Sequence, residues 1–266
     1  MVLTRPIGSQ RPKLYGLSKA HKKEIPLRPI LSMIKSPQSN LSTFLISVLE
    51  PVLDKFSNHT VPDSFSFVDK LKSFNLFQPN NFMVSFDIKS LFTNVQLKKV
   101  IDIFLDQLYN SDLLPPPFPR SVCNDMLCMA TKNVQFRFND LIFNQIDGVA
   151  MGSPLGPILA NIFVGYYENN LLSLDNSKPL AYYRYFDDVF AIFPSKNNVN
   201  NFFTLLNKMH KCIVFTVEEE YSEKKYFLDI QITRNSNNTF STSVYRKKIL
   251  VHTTFPGIRF APLNKN

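Results

Sequence analysis

Apolar residues recur along this chain with two periods, one helical and one strand-like. Residues 97–109 put Ile101, Phe104, Leu105 and Leu108 on one face, the spacing of an amphipathic helix packed on a core. Leu41–Phe56 predicts another helix, bent at Pro51, and Asp63–Phe74 a shorter one. Further helices are expected at Ser121–Lys132, Pro157–Leu172 and Asn201–Lys211; prolines 154 and 157 are tolerable around a first turn. Strand patterns fall at Phe82–Asp87, Ile213–Glu219, Tyr226–Arg234 and Thr239–Tyr245. Val134–Phe143 alternates on either side of Asn139-Asp140, a hairpin signal, and a second hairpin is expected over 181–193. Residues 1–37 are broken by Pro26, Pro29 and Pro37 and predict extended chain with short strands, while Leu114–Pro119 reads as a stiff connector. Helices and strands follow one another in mixed order, which predicts an α+β fold over a doubly wound sheet.

Composition narrows this picture. The chain has 266 residues, 44% of them hydrophobic, with 25 Phe and no Trp, enough for one large domain or two lobes sharing a core. The net charge of +9 is unevenly spread: residues 1–37 and 224–266 each hold eight Lys/Arg against one acid, so the centre is net acidic. Basic ends around an acidic middle suit a polyanion gripped at its edges, or else an ordinary basic surface. Cys123, Cys128 and Cys212 show neither metal-ligand spacing nor a disulfide framework and read as thiols in a reducing compartment. The first residues lack the apolar core of a signal peptide, and no apolar run is long enough to span a bilayer. Lys19–Lys23 is either a nuclear signal or a substrate-binding segment.

The chemistry concentrates in two strand-like stretches. Tyr182–Phe193 is apolar and aromatic except for Arg184 and the adjacent acids Asp187 and Asp188. About 100 residues earlier, Asn81–Val95 is a second such stretch carrying Asp87. Half-burying adjacent carboxylates costs several kcal/mol, ~3 or more, unless something positive joins them. If one sheet holds both stretches, Asp87, Asp187 and Asp188 offer hard oxygen donors, which suit Mg²⁺, with Mn²⁺ as an alternative, over Zn²⁺. Two such ions about 3.5–4 Å apart would serve an in-line phosphoryl transfer.

A set of ordered stretches carries a family resemblance. They are Lys13–Lys22, Leu27–Ser32, Ser85–Val95, Ala150–Phe163, Arg184–Asp188 and Tyr226–Ile232. In this order they resemble the palm and fingers of reverse transcriptases (RNA-directed DNA polymerases), most nearly those of Penelope-like retroelements, relatives of telomerase. The resemblance runs from residue 11 to about 232. It implies an α+β right-hand polymerase with an antiparallel palm sheet backed by helices and with the thumb largely missing. Residues 1–80 would be the N-terminal fingers, 81–110 the first part of the palm, 111–150 a fingers insertion, 151–236 the rest of the palm, and 237–266 the start of a C-terminal connection or thumb.

The resemblance also implies roles. Asp87, Asp187 and Asp188 would be the catalytic metal ligands for two Mg²⁺. Lys19 and Arg28 would grip the nucleotide's phosphates, and backbone amides just after Asp87, beginning with Ile88, would touch the triphosphate. Phe92 is either a core ring or the aromatic gate that excludes a ribose hydroxyl. Met151 and Gly152 would face the nucleotide, and Ser153 and Pro154 the template. Met151 stands where many reverse transcriptases carry Gln, a feature shared with Penelope-like members, and Gly156 stands where Ser is more common. Phe227, Leu228 and Asp229 match a hairpin that steadies the primer end, or form an edge strand with a polar turn. The partners implied are an RNA template, a DNA primer and deoxynucleoside triphosphates, with no membrane.

The activity expected is RNA-templated DNA synthesis by attack of a primer 3′-hydroxyl on a deoxynucleotide's α-phosphate, by a fragment of a retroelement acting in the nucleus. One alternative is an inactive nucleic-acid-binding remnant of such an element. Another is a metal-dependent nuclease, which would have no use for a sugar gate or a Gly-Ser-Pro loop.

Overall fold

A computed structural model of the chain describes residues 8–18, 26–74, 78, 81–174, 178–235 and 239–246. In chain order the elements begin with β1 (Lys13–Ser18), β2 (Leu27–Ser32), α1 (Ser39–Lys55) and α2 (Ser64–Lys72). Then come β3 (Phe82–Ile88), α3 (Leu91–Asn94), α4 (Leu97–Tyr109), α5 (Arg120–Thr131), β4 (Gln135–Phe138) and β5 (Leu141–Asn144). The remainder is α6 (Gly156–Leu174), β6 (Ala181–Tyr185), β7 (Asp188–Phe193), α7 (Lys196–Lys208), β8 (Phe215–Glu219), β9 (Lys224–Phe227), β10 (Ile230–Arg234) and β11 (Phe240–Val244).

Among the described residues these strands form three sheets. The central one runs β6-β7-β3-β8 and is antiparallel throughout. The N-terminal sheet runs β2-β1-β4-β5, with one parallel pairing between β1 and β4. The third is the antiparallel ribbon β11-β10-β9. Mixed helices and mainly antiparallel sheets make this the α+β fold that the element order predicts.

Strand alternation gives the central sheet two faces. Val84, Phe86 and Ile88 of β3, with Val189, Ala191 and Phe193 of β7, join the main core built with α1, α4, α5, α6 and α7. Met83 of β3 and Phe190 and Ile192 of β7 point the other way, into a second core closed by Phe67 and Leu71 of α2 and Phe227 and Ile232 of the ribbon. Phe67 meets Phe190 and Phe227 edge-on, with ring centroids 5.2 and 4.7 Å apart. Each such ring, removed from water, contributes roughly 1.5–3 kcal/mol.

Most predicted elements occur within a residue or two of their expected ends, with two differences. The helix expected at Asn201–Lys211 begins at Lys196, because the Ser195 hydroxyl accepts the Asn198 amide at 3.3 Å and caps it there. The single strand expected over Tyr226–Arg234 is two strands, folded back at Leu228 and Asp229. Both turn residues have positive φ, +48° and +61°, the sign pattern of a tight hairpin turn. Helix α1 runs through Pro51 to Lys55.

Candidate active site

The second face of the central sheet changes character along its length. On β3 it runs from buried Met83 through half-buried Ser85 to exposed Asp87. On β7 it runs from buried Ile192 and Phe190 to exposed Asp188. The α2 and ribbon cover stops short of the last pair, so the face begins as core and ends at the surface in carboxylates. Antiparallel register sets Asp87 directly opposite Asp188, and Asp187 precedes Asp188 in the turn between β6 and β7. The Ile88 amide donates to the Asp187 carbonyl at 2.9 Å, tying the turn to β3. Asp87 and the adjacent acids about 100 residues later, Asp187 and Asp188, are thereby brought to one end of one sheet.

Among the described residues, no group of three or more His, Cys, Asp and Glu side chains, the three acids included, is gathered closely enough to hold a metal ion by itself. Mg²⁺ seldom asks for such a group. It keeps waters and takes one or two carboxylates, with substrate phosphates filling the remaining octahedral positions. Two carboxylates facing each other across neighbouring strands repel, and a cation between them relieves the repulsion. The residues present therefore fit a hard divalent ion that arrives together with a phosphate-bearing substrate.

The loop entering α6 is latched at both ends. Val149 N donates to Phe92 O of α3, and Leu31 N of β2 donates to Met151 O, both at 2.8 Å. Gly152 has φ +116°, and a Cβ there would lie 2.3 Å from the Leu31 carbonyl oxygen. Small size was expected here to let a template–nucleotide pair approach; in this structure close contact with β2 already requires it. Ser153 is buried, its hydroxyl accepting the Leu155 amide at 3.3 Å, and Pro154 is half-buried beside it. Phe92 is half-buried, and a Cβ on Gly156 would lie 3.6 Å from its ring. Asp147, in the same loop, accepts the Leu97 amide at 3.3 Å and so caps α4 from a distant segment.

Arg28 is exposed on β2, opposite Leu17 of β1, and Lys19 lies outside the described residues. The amide of Ile88, expected to meet a triphosphate, is committed to Asp187, and that of Lys89 to Val214 O at 2.9 Å. Those donors are therefore spent on the fold. Phe227 is buried in the second core, which leaves half-buried Leu228 and exposed Asp229 as the surface turn of the β9–β10 hairpin. The Ser64 hydroxyl holds this turn by donating to Leu228 O at 2.8 Å.

Sequence reasoning missed the polar cluster behind the acids. Arg184 of β6 and Glu168 of α6 are buried and paired, Arg184 Nε donating to Glu168 Oε2 at 2.7 Å. Tyr182 donates its hydroxyl to Glu168 Oε1 at 2.6 Å. Burial, and next the Glu168 charge, push the Tyr182 phenol well above its ordinary range. Arg184 Nη1 donates to Asn161 Oδ1 at 2.6 Å and to the Phe186 carbonyl at 3.1 Å. One signal was available: Glu168 is the only charged residue in α6.

A family model described as reverse transcriptase (RNA-dependent DNA polymerase) matches residues 20–231. No curated protein matches the sequence. Among solved structures, the apo telomerase from Candida tropicalis truncated from its C-terminal domain aligns with a TM-score of 0.67 at 13% identity, covering 90% of this chain and 56% of that one. Telomerase from Candida albicans, in complex with a TWJ fragment of telomeric RNA, gives 0.66 at 12% identity, covering 91% and 48%. The BmCPV RNA-dependent RNA polymerase at its elongation state gives 0.58 at 14%, covering 87% and 22%. At these identities the likeness is one of fold, that of polymerase palm and fingers, and the chain spans about half the length of the telomerases it matches. No helix among the described residues is long and apolar enough to cross a membrane.

Proposed function

This chain belongs to the reverse transcriptase (RNA-dependent DNA polymerase) family, and from that premise we propose that it extends a DNA primer on an RNA template, as the polymerase of a Penelope-like retroelement. The observation that carries the reading is the cross-strand pairing of Asp87 with Asp188, next to Asp187, at the open end of the central sheet. Residues 81–110 and 151–236 act as palm, and 1–80 with 111–150 as fingers.

Asp87, Asp187 and Asp188 hold the divalent ions, Mg²⁺ or Mn²⁺, which when bound supply activation of the primer hydroxyl and neutralisation of the phosphates. Lys19 and Arg28 balance the charge of the triphosphate, with Arg28 able to bond two phosphate oxygens at once. Phe92, against the backbone of Gly156, crowds the sugar's 2′ position and favours deoxynucleotides. The loop from Met151 to Pro154 lies under the template–nucleotide pair, and the turn at Leu228 and Asp229 supports the primer end.

The test is primer extension by the purified chain on primed RNA with Mg²⁺ and labelled deoxynucleotides. Asp187→Ala is expected to abolish extension, about 10³-fold or more, while changing template retention on a filter by less than about twofold. Undiminished extension by Asp187→Ala, or cleavage of the template in place of extension by the unaltered chain, would overturn the reading.

A further inference from the structure

The hairpin that presents Asp187 and Asp188 turns on two central residues, and only the first, Phe186, has positive φ, at +51°. That is the sign pattern of a II′ turn, whose first central position favours glycine. A side chain held in the left-handed region costs roughly 1–2 kcal/mol. Such strain persists where the surroundings over-determine it. Here the surroundings are specific. The Arg184 guanidinium reaches the Phe186 carbonyl with Nη1 at 3.1 Å. The same Nη1 donates to Asn161 at 2.6 Å, and Nε to Glu168 at 2.7 Å. Asn161 and Glu168 are seven residues apart on α6, on one face of a helix whose neighbouring residues Ile162, Phe163 and Val164 lie in the main core. The planar guanidinium is therefore fixed by two anchors and offers the turn a donor of set position and direction. Ile88 holds the next carbonyl, that of Asp187. Both turn carbonyls are thus tied, one to the main core through Arg184 and one to the strand bearing Asp87.

We propose that Arg184, fixed by Glu168 and Asn161, is a positioning residue for nucleotidyl transfer: it holds Phe186 in its strained conformation and so sets where Asp187 and Asp188 stand relative to Asp87. The inference rests on the reading given under Proposed function. The competing account is a buried ion pair that contributes to stability alone.

Two variants separate the accounts. Arg184→Lys keeps a charge for Glu168 but lacks the fork that holds Glu168 through Nε while Nη1 reaches Asn161 and Phe186. Asn161→Ala leaves the ion pair and removes one anchor. For variants shown to be folded by circular dichroism and thermal melting, hydrogen exchange of the peptide spanning 181–193 is compared with that of 97–109. Primer extension gives kcat, KM for the deoxynucleotide and the Mg²⁺ concentration for half-maximal rate. The expected result is at least tenfold faster exchange around 185–188 with 97–109 unchanged, kcat lowered at least tenfold with KM within about threefold, and a raised Mg²⁺ requirement. Unchanged exchange at the turn in a folded variant overturns the proposal. So does activity that falls only in proportion to the folded fraction at the original Mg²⁺ requirement. Should Arg184→Lys not fold, Asn161→Ala decides by the same measures. Absence of extension by the unaltered chain would defeat the polymerase reading, whereas the exchange comparison decides the role of Arg184 in the turn independently.

Discussion

Two hairpins in this chain are built with the same loop length and opposite logic. Between β4 and β5, Asn139 and Asp140 both take positive φ, +47° and +61°, and both are residue types that tolerate it. Its strands are exposed apart from half-buried Phe136, and a surface pair between Arg137 and Asp140 lies at its tip. Between β6 and β7, one central residue has positive φ and it is a phenylalanine. Its β7 strand is buried beyond Asp188, and its turn carbonyls bond to Arg184 and Ile88. The first turn is specified by its own two residues. The second is specified by residues 161, 168 and 184, and it needs the folded core to exist. Only the second has something to aim.

The contrast can be broken most forcefully at Glu168. Glu168→Ala leaves Arg184 buried without its carboxylate, and loss of one partner of a buried pair costs about 3–5 kcal/mol. Urea unfolding should show a loss of that size, and a loss under about 1 kcal/mol would mean the pair is not the anchor described. A smaller effect is expected at the surface turn. Asn139→Val places a β-branched residue at φ +47° and should cost about 1–2 kcal/mol. Primer extension should stay within about twofold of the unaltered chain, because that hairpin belongs to the N-terminal sheet and the acids to the central one. A larger drop in extension would show that the two hairpins are coupled.

The smallest effect expected is one of pH. The His59 ring lies edge-on to Tyr182 at 5.8 Å, and its backbone carbonyl accepts the Arg184 amide at 2.8 Å. Burial, chiefly, holds its pKa below the ordinary value; the nearby Glu168 charge opposes this, and Arg184 and Lys70 reinforce it. The folded state thus favours neutral His59, and the unfolded chain takes up the proton first. Stability is unaffected above about pH 6.5 and falls as pH drops below it toward the folded value. His210, also lowered chiefly by burial, acts with the same sign. Unfolding at pH 7 and pH 5.5, for the unaltered chain and for His59→Gln, should show a smaller acid loss in the variant. An equal loss in both would remove His59 from the account.

How much of this was legible beforehand follows the same division. Helix α4 was read with its observed limits because its apolar spacing is local and complete. The Asn139-Asp140 turn was legible for the same reason. The alternation of β3 and β7 placed Asp87, Asp187 and Asp188 at strand ends, and the register that sets Asp87 against Asp188 then followed from burial of the intervening apolar residues. The turn at Leu228 and Asp229 is implied by the family resemblance and not by the apolar pattern, because apolar residues continue across it on both sides. The Arg184–Glu168–Asn161 cluster was hidden because its members lie up to 23 residues apart and meet only when β6 packs beside α6. The need for glycine at 152 was visible, but its cause was not, since nothing in the neighbouring sequence points to Leu31.

That last contact has a mechanical consequence. With Leu31 N bonded to Met151 O, and the Leu31 carbonyl pressed where a side chain at 152 would stand, β2 and the start of α6 are welded at one point. Any rocking of the N-terminal sheet must carry the Met151–Ser153 segment with it, so a force on β2 is passed to the stem of the helix that bears Asn161 and Glu168. A single methyl group added at position 152 would pry that joint apart, and its effect would be felt in the N-terminal sheet and in α6 at once.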